Sequence, residues 1–323
     1  MNRLNVSTVF AAALLVVGVS ASVANSQTRP APPKPPALIG RWDIVVHDPS
    51  GDFPSWLEVK PSGPRTLIGQ FVAAFGSARP ISQVKVVNNS FEFSIPVQFE
   101  DLKVDQWMRG AFSKDAIHGT TLAYTGKICK FDGVRAPTLE RKGAPVWGTP
   151  IELFDGKTTN GWRSRDKTDK KFEWVVKNGI LTNLKSGTDI VTTAKFRDFK
   201  VHAEFRYPKG SNSGIYLRGR YEAQIEDNYG MPADSHQIGG IYGFLQPRIN
   251  AAKKAGEWQT YDITLVGRFA TVMLNGETVI TNQEIPGITG GALDSREGED
   301  GPLLIQGDHG PIEFRRITLT PAK

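Results

Sequence analysis

The chain has 323 residues but only one cysteine, Cys129, so no disulfide can form within it. It also lacks a Gly-x-Ser-x-Gly elbow, a phosphate-binding loop and a His-x-x-x-His pair. These absences give no support to a serine hydrolase, a nucleotide site or a histidine-based metal site. We therefore predict no cofactor, although the sequence leaves a divalent cation held by oxygen ligands open. Cys129 is read as a small buried hydrophobe rather than a nucleophile or a metal ligand.

Basic clusters are absent too. The formal net charge is +6, but the lysines and arginines are dispersed along the chain. Without a basic helix or an aromatic–basic repeat, nucleic-acid binding is disfavoured. The charge supports no more than a mild preference for acidic surfaces or glycans.

Only the N-terminus carries a long apolar run. Residues 1–24 contain the apolar stretch Val9–Val19, followed by the small residues Ser22-Val23-Ala24. A run shorter than the roughly 20 residues needed to cross a bilayer predicts a cleaved secretory signal, with an uncleaved anchor as the alternative. Residues 25–37 form a proline-rich linker. We expect a periplasmic or secreted protein without stable membrane insertion, since export without disulfides suits a bacterial periplasm or cell surface.

The mature chain shows almost no helical periodicity. Short apolar runs alternate with Gly, Pro, Asn and Asp, which predicts an all-β protein made of sandwiches or barrels. A break near Arg141–Thr149 separates residues 38–145 from residues 151–321. The first unit opens with GRWDI, which resembles the start of a small lipocalin-like barrel. In the second, Asn275-Gly276 predicts a hairpin turn, and Arg248–Ala255 is the only plausible helix.

Strand alternation predicts a polar working face centred on Ser211–Asp227. In this segment alternation places Tyr216 and Arg218 of one strand and Glu222 and Gln224 of the next on one polar side. These side chains hydrogen-bond hydroxyl-rich ligands and stack on sugars. We expect further strands and loops to contribute Glu204, Tyr242, Gln306 and His309. The alternative is a solvated outer face with Arg–Glu pairs.

Residues 151–321 resemble the 3-keto-disaccharide hydrolase domain family, which has a concanavalin-like jelly-roll fold. The N-terminal unit lies outside this resemblance and receives no role. The matching blocks occur in order and include LFDGKTTNGW (Leu153–Trp162), FEWVVKNGIL (Phe172–Leu181), FRYPKGSNSGIYLRGRYEAQIED (Phe205–Asp227), GGIYG (Gly239–Gly243), GEWQTYDIT (Gly256–Thr264), ITGGALDS (Ile288–Ser295) and GPLLIQGDHGPIEFRRITL (Gly301–Leu319).

The resemblance implies cleavage of glycosides whose glucose ring carries a ketone at C3. Such a ketone acidifies the C2 hydrogen, so a base can form an enolate that expels the C1 substituent, after which water adds. The hypothesis assigns Glu222 or His309 as the base and Arg218 as the group that stabilises the enolate oxygen. Substrate-positioning roles fall to Glu204, Asn212, Tyr216, Gln224, Asp227, Tyr242 and Gln306.

Two other classes of function compete with this hypothesis. Sandwiches of this kind also serve as non-catalytic carbohydrate-binding modules, so the fold alone does not decide. A structural or interaction protein with two β domains would have no small-molecule cleft. The titratable histidine predicted beside a carboxylate favours an enzyme.

Overall fold

The computed structural model describes residues 36–98, 100–166 and 172–323, and residues 36–323 form one compact unit. The described residues form 21 strands and no helix. None of them forms a helix long and apolar enough to cross a membrane. The predicted signal and most of the proline-rich linker lie outside the described residues, so export stays a prediction.

The N-terminal unit is a closed eight-stranded barrel. Strand β1 (Gly40–His47) pairs with β2 (Phe53–Ser62) on one side and with β8 (Ile128–Arg135) on the other, which closes the sheet. Between them run β3 (Thr66–Val72), β4 (Arg79–Val87), β5 (Ser90–Ile95), β6 (Gln106–Phe112) and β7 (Ala116–Leu122).

Trp42, the tryptophan of GRWDI, is fully buried in this barrel. Its indole N–H donates to the Leu38 carbonyl over 2.8 Å, and the Arg135 guanidinium stacks 3.8 Å from the ring centroid. A barrel with a buried tryptophan in its first strand confirms the fold predicted from that short motif.

The C-terminal unit is a two-sheet jelly-roll sandwich of the concanavalin-like class. A five-stranded sheet has the order β10-β13-β20-β15-β16, and an eight-stranded sheet has the order β11-β12-β21-β14-β17-β18-β19, with β9 paired to β21. The strands are β9 (Ile151–Phe154), β10 (Trp162–Ser164), β11 (Val175–Lys177), β12 (Ile180–Asn183), β13 (Ile190–Thr192), β14 (Phe199–Arg206), β15 (Asn212–Leu217), β16 (Tyr221–Glu226), β17 (Gln259–Val266), β18 (Phe269–Leu274), β19 (Glu277–Glu284), β20 (Leu304–Ile305) and β21 (Ile312–Pro321).

Two local predictions for the sandwich have different outcomes. Asn275 and Gly276 join β18 to β19 with positive φ angles of 54° and 84°, as a tight hairpin turn requires. The predicted helix at Arg248–Ala255 is wrong, because this segment is irregular. The Asn250 side-chain amide instead holds the segment by donating to the carbonyls of Asn228 and Met231.

Barrel and sandwich share an apolar core. Trp56 of β2 belongs to the same buried cluster as the sandwich interior, and its ring meets Phe244 edge-on at 5.5 Å. A Cβ atom on Gly287 would lie 2.2 Å from the Trp56 ring, so glycine is needed for this close approach. The packing brings the β3–β4 loop of the barrel against the sandwich.

Candidate active site

A cavity of about 300 Å³ lies over one end of the five-stranded sheet. Its walls come from the neighbouring strands β15 and β16 and from the loops around them, including the loop that follows β20. The lining residues are Phe75, Gly76, Arg165, Asp189, Asn212, Tyr216, Glu222, Gln224, Tyr242, Gly290, Gly291, Gln306, Asp308 and His309.

Glu222 and Tyr216 form the buried centre of the cavity wall. They are direct partners across β15 and β16, as period-two alternation predicts. The Tyr216 hydroxyl lies 3.0 Å from Glu222 Oε2 and 3.0 Å from the Gly290 carbonyl oxygen. A hydroxyl has one proton, and a carbonyl oxygen only accepts. When Tyr216 donates to Gly290, the contact to Glu222 therefore requires a protonated carboxyl group.

Burial favours this neutral form of Glu222. Desolvation raises the pKa of Glu222 from 4.5 to about 8, against a smaller opposing effect of the Tyr216 hydrogen bond. Burial also raises the pKa of Tyr216 well above its ordinary value. Glu222 is thus mostly protonated at neutral pH, and its ionised form is a stronger base than an exposed carboxylate.

Two glycines leave room for this pair. A Cβ atom on Gly214 would lie 2.4 Å from Glu222 Oε1, and one on Gly291 would lie 2.8 Å from the Tyr216 hydroxyl oxygen. Gly291 also has a φ of 77°, which strains other residues. Both positions are inside the matched blocks, although the alternation argument gave them no role.

Arg165 supplies a cation to the same cavity. Its Nη1 donates to Asp189 Oδ2 over 3.0 Å, and its Nη2 donates to the Ala292 carbonyl over 3.2 Å. Asp189 also accepts from the Gly307 N–H over 2.9 Å, while burial raises its pKa. Arg165 and Asp189 were not predicted from the sequence. Arg165 follows β10 and Asp189 precedes β13, and these strands reach the site only because β10 pairs with β13 and β13 pairs with β20. Arg165 lies three residues after the LFDGKTTNGW block. This position was the one feature of the sequence that could have pointed to Arg165 as a site residue.

His309 lies in the GDHG turn and faces the cavity as expected. Its Nδ1 is hydrogen-bonded to Asp308 Oδ1, and this contact raises the pKa of His309 although partial burial opposes it. The ring is therefore held towards its imidazolium form, which is able to donate a proton.

Other predicted residues also line the cavity. Gln306 is buried, and its Oε1 has no hydrogen-bond partner among the described residues. Gln224 is fixed by donating to the His236 carbonyl and accepting from the Ile225 N–H. Asn212 and Tyr242 complete the predicted set.

The structure does not place Arg218 in the cavity. Arg218 has a φ of 54°, so the strand alternation stops there and the side chain turns into the protein. It is buried, and its Nη2 donates to the Gly267 carbonyl over 2.7 Å and to the Tyr221 hydroxyl over 3.2 Å. Arg165, and not Arg218, is the arginine that can reach a ligand here.

Glu204 and Asp227 also lie outside the cavity. Glu204 belongs to β14 of the eight-stranded sheet, where it pairs with Arg315 and approaches His202. Its polar face is on the other side of the sandwich, because alternation does not reveal which sheet a strand joins. Asp227 accepts from the Gly210 N–H over 2.9 Å and closes the turn before β15.

Within the part of the chain that the structure describes, no three His, Cys, Asp or Glu side chains are grouped to hold a metal ion. The oxygen-ligand ion site that the sequence leaves open thus receives no assigned residues.

Comparison with known proteins gives a match over the sandwich. Residues 149–320 match the model of the family described as "3-keto-alpha-glucoside-1,2-lyase-like domain". A 3-keto-disaccharide hydrolase of Bacteroides thetaiotaomicron is 26% identical in an alignment of 165 residues, with coverage of 40% of this chain and 57% of that protein. The chain thus spans little more than half the length of this curated relative.

Solved structures are also similar to part of this chain. A Parabacteroides distasonis protein assigned as a glycosyl hydrolase is 33% identical, with a TM-score of 0.47, over 56% of this chain and 92% of that one. A second such protein of the same organism is 20% identical, with a TM-score of 0.44, over 54% and 94% of the two chains.

The pKa of Glu222 predicts a pH-dependent stability. The protonated Glu222 makes its full contribution to the free energy of unfolding below the unfolded-state pKa of about 4.3. This contribution is lost as the pH rises through the folded-state pKa of about 8. In urea titrations, Glu222→Gln should match the wild type near pH 4 and unfold with a free energy about 2–4 kcal/mol higher near pH 9. The exposed Glu257→Gln serves as the control. A difference for Glu222→Gln that stays constant with pH would contradict the assigned pKa.

Proposed function

Since the chain belongs to the 3-keto-alpha-glucoside-1,2-lyase-like domain family, we propose that it cleaves the glycosidic bond of sugars oxidised at C3. The observation that carries this proposal is the joint presence of Glu222, Arg165 and His309 around one cavity. They supply a buried carboxyl group of raised pKa, a fixed cation and an imidazole whose pKa is also raised. The reaction is an elimination across C1 and C2 followed by addition of water.

The proposed steps balance without an oxidant or reductant. A base removes the C2 proton, and the C2–H electron pair forms the enolate of the C3 ketone. When the ketone re-forms, a C1–C2 double bond appears, the bond from C1 to the aglycone oxygen breaks, and an acid protonates that oxygen. Water then adds its oxygen to C1 while C2 regains a proton. The products are the free 3-keto sugar and the aglycone alcohol.

Glu222 is assigned as the base. With a pKa of about 8, its ionised fraction is small at neutral pH, but that fraction accepts a proton from carbon more readily than an ordinary carboxylate does. When Glu222 is ionised, the Tyr216 hydroxyl can donate its hydrogen bond to the carboxylate instead of to the Gly290 carbonyl. Tyr216 therefore stabilises the ionised form of Glu222.

Arg165 takes the role that the sequence argument gave to Arg218. Its contacts to Asp189 and Ala292 fix the guanidinium before substrate arrives, and a cation fixed in advance stabilises a developing enolate oxygen without reorganisation. His309, whose pKa is raised by its hydrogen bond to Asp308, is the acid for the leaving oxygen.

This assignment differs from that of an ordinary glycosidase. Such enzymes use two carboxyl groups on either side of an oxocarbenium-like transition state. Here Asp189 is paired with Arg165 and Asp308 with His309, whereas Glu222 has no ion pair among the described residues. A single carboxyl group without an ion-pair partner suits removal of the C2 proton better than it suits the two-carboxylate mechanism of an ordinary glycosidase.

A comparison of substrates tests the proposal. The purified protein should release product from a 3-keto-α-glucoside and leave the unoxidised glucoside intact, with and without a chelator. Product analysis by mass spectrometry would show the free 3-keto sugar. Cleavage of the unoxidised glucoside alone would contradict the elimination mechanism. Retention of glycans without release from either substrate would favour a non-catalytic binding module.

Replacement of Arg165 tests the assigned cation. Arg165→Ala should lower kcat on the 3-keto substrate about 100-fold, the usual effect of removing one group that stabilises an oxyanion. Arg163→Ala is the matched control, because Arg163 is exposed on β10, two residues before Arg165, and lies outside the cavity. Equal effects of the two substitutions on kcat would remove Arg165 from the mechanism.

A further inference from the structure

The barrel contributes a wall to the cavity of the sandwich. Phe75 and Gly76, from the loop between β3 and β4, lie among the lining residues, although the family match begins only at residue 149. The barrel received no role from the sequence. Its place at the site indicates a part in substrate binding.

This loop is fixed against the glycines that border Glu222 and Tyr216. The Gly291 N–H donates to the Ala74 carbonyl over 2.9 Å. A Cβ atom on Gly290 would lie 2.2 Å from the Gly76 carbonyl oxygen, so the two backbones are in direct contact. Gly290 is the residue whose carbonyl accepts from Tyr216. The loop is therefore positioned on the same backbone segment that holds the catalytic pair.

Phe75 is 49% exposed at this place. Its ring packs edge-on against Tyr124 with the ring centroids 4.8 Å apart, and Tyr124 packs edge-on against Phe53 with a centroid distance of 5.5 Å. Aromatic residues of the barrel therefore hold the Phe75 ring in place. Among the described residues that line the cavity, Phe75 has the only apolar side chain. A supported aromatic ring with an open face beside polar groups is suited to stacking on the apolar face of a pyranose.

We propose that Phe75 forms a subsite for the sugar ring on the leaving-group side of the scissile bond, so that the barrel sets the preference for disaccharides. This inference rests on the proposed function. The ring that reacts needs a base at C2 and a cation near O3, and Glu222 and Arg165 provide them. C1, which carries the leaving group, is bonded to C2, so the leaving group would lie beside Glu222. The contact between Gly290 and Gly76 places the barrel loop on this side of the cavity.

The test measures specificity with two substrates. One is a 3-keto-disaccharide of two glucose units, and the other is methyl 3-keto-α-glucoside, whose leaving group has no ring. Phe75→Ala and Phe75→Leu should lower the ratio of kcat/KM for the disaccharide to kcat/KM for the methyl glycoside about tenfold. Phe75→Tyr, which keeps an aromatic ring, should retain most of the ratio.

Phe269→Ala is the matched control, since Phe269 is 40% exposed on β18 and lies outside the cavity. Circular dichroism establishes that each variant is folded. An unchanged ratio in Phe75→Leu, or an equal loss on both substrates, would overturn the subsite. A wild-type protein that cleaves neither substrate would instead contradict the proposed function, so the two failures are distinguishable.

Discussion

The hydroxyl group of Tyr216 is the contact on which the site depends. It joins Glu222 on the neighbouring strand to the Gly290 carbonyl on a loop, and that loop is covered by Gly76 of the barrel. A single hydroxyl proton can serve only one of its two partners at a time. The protonation state of Glu222 is therefore linked to the hydrogen bonding of the loop, and through the loop to the barrel.

Charge is distributed unevenly around this contact. Arg165 and His309 each have a carboxylate partner, so both side chains are held in place before a ligand enters. Glu222 is buried with a neutral hydroxyl partner, and burial holds its pKa near 8. An ionised Glu222 is thus costly in the empty protein, and the proposed removal of a C–H proton would make use of that cost. A solvated surface of Arg–Glu pairs, the alternative weighed from the sequence, would lack this property.

Period-two alternation found the central pair, because Tyr216 and Glu222 lie on adjoining strands of one hairpin. The same rule failed at Arg218, where a left-handed φ ends the alternation, and at Glu204, whose strand joins the other sheet. Arg165 and Phe75 reach the cavity through long-range pairing and through barrel packing. Neither leaves a local pattern in the sequence. The all-β class was readable from short apolar runs and turn residues, whereas the contact between barrel and sandwich was not.

The central claim is removal of the C2 proton, and a kinetic isotope effect tests it most directly. Turnover of a 3-keto-α-glucoside would be compared with that of the same compound carrying deuterium at C2, in one reaction mixture under kcat/KM conditions. The account predicts a primary isotope effect that slows the deuterated substrate. Equal rates for both compounds, together with full retention of the C2 deuterium in the 3-keto sugar product, would contradict it and point to an oxocarbenium-like route that leaves the C2 hydrogen in place.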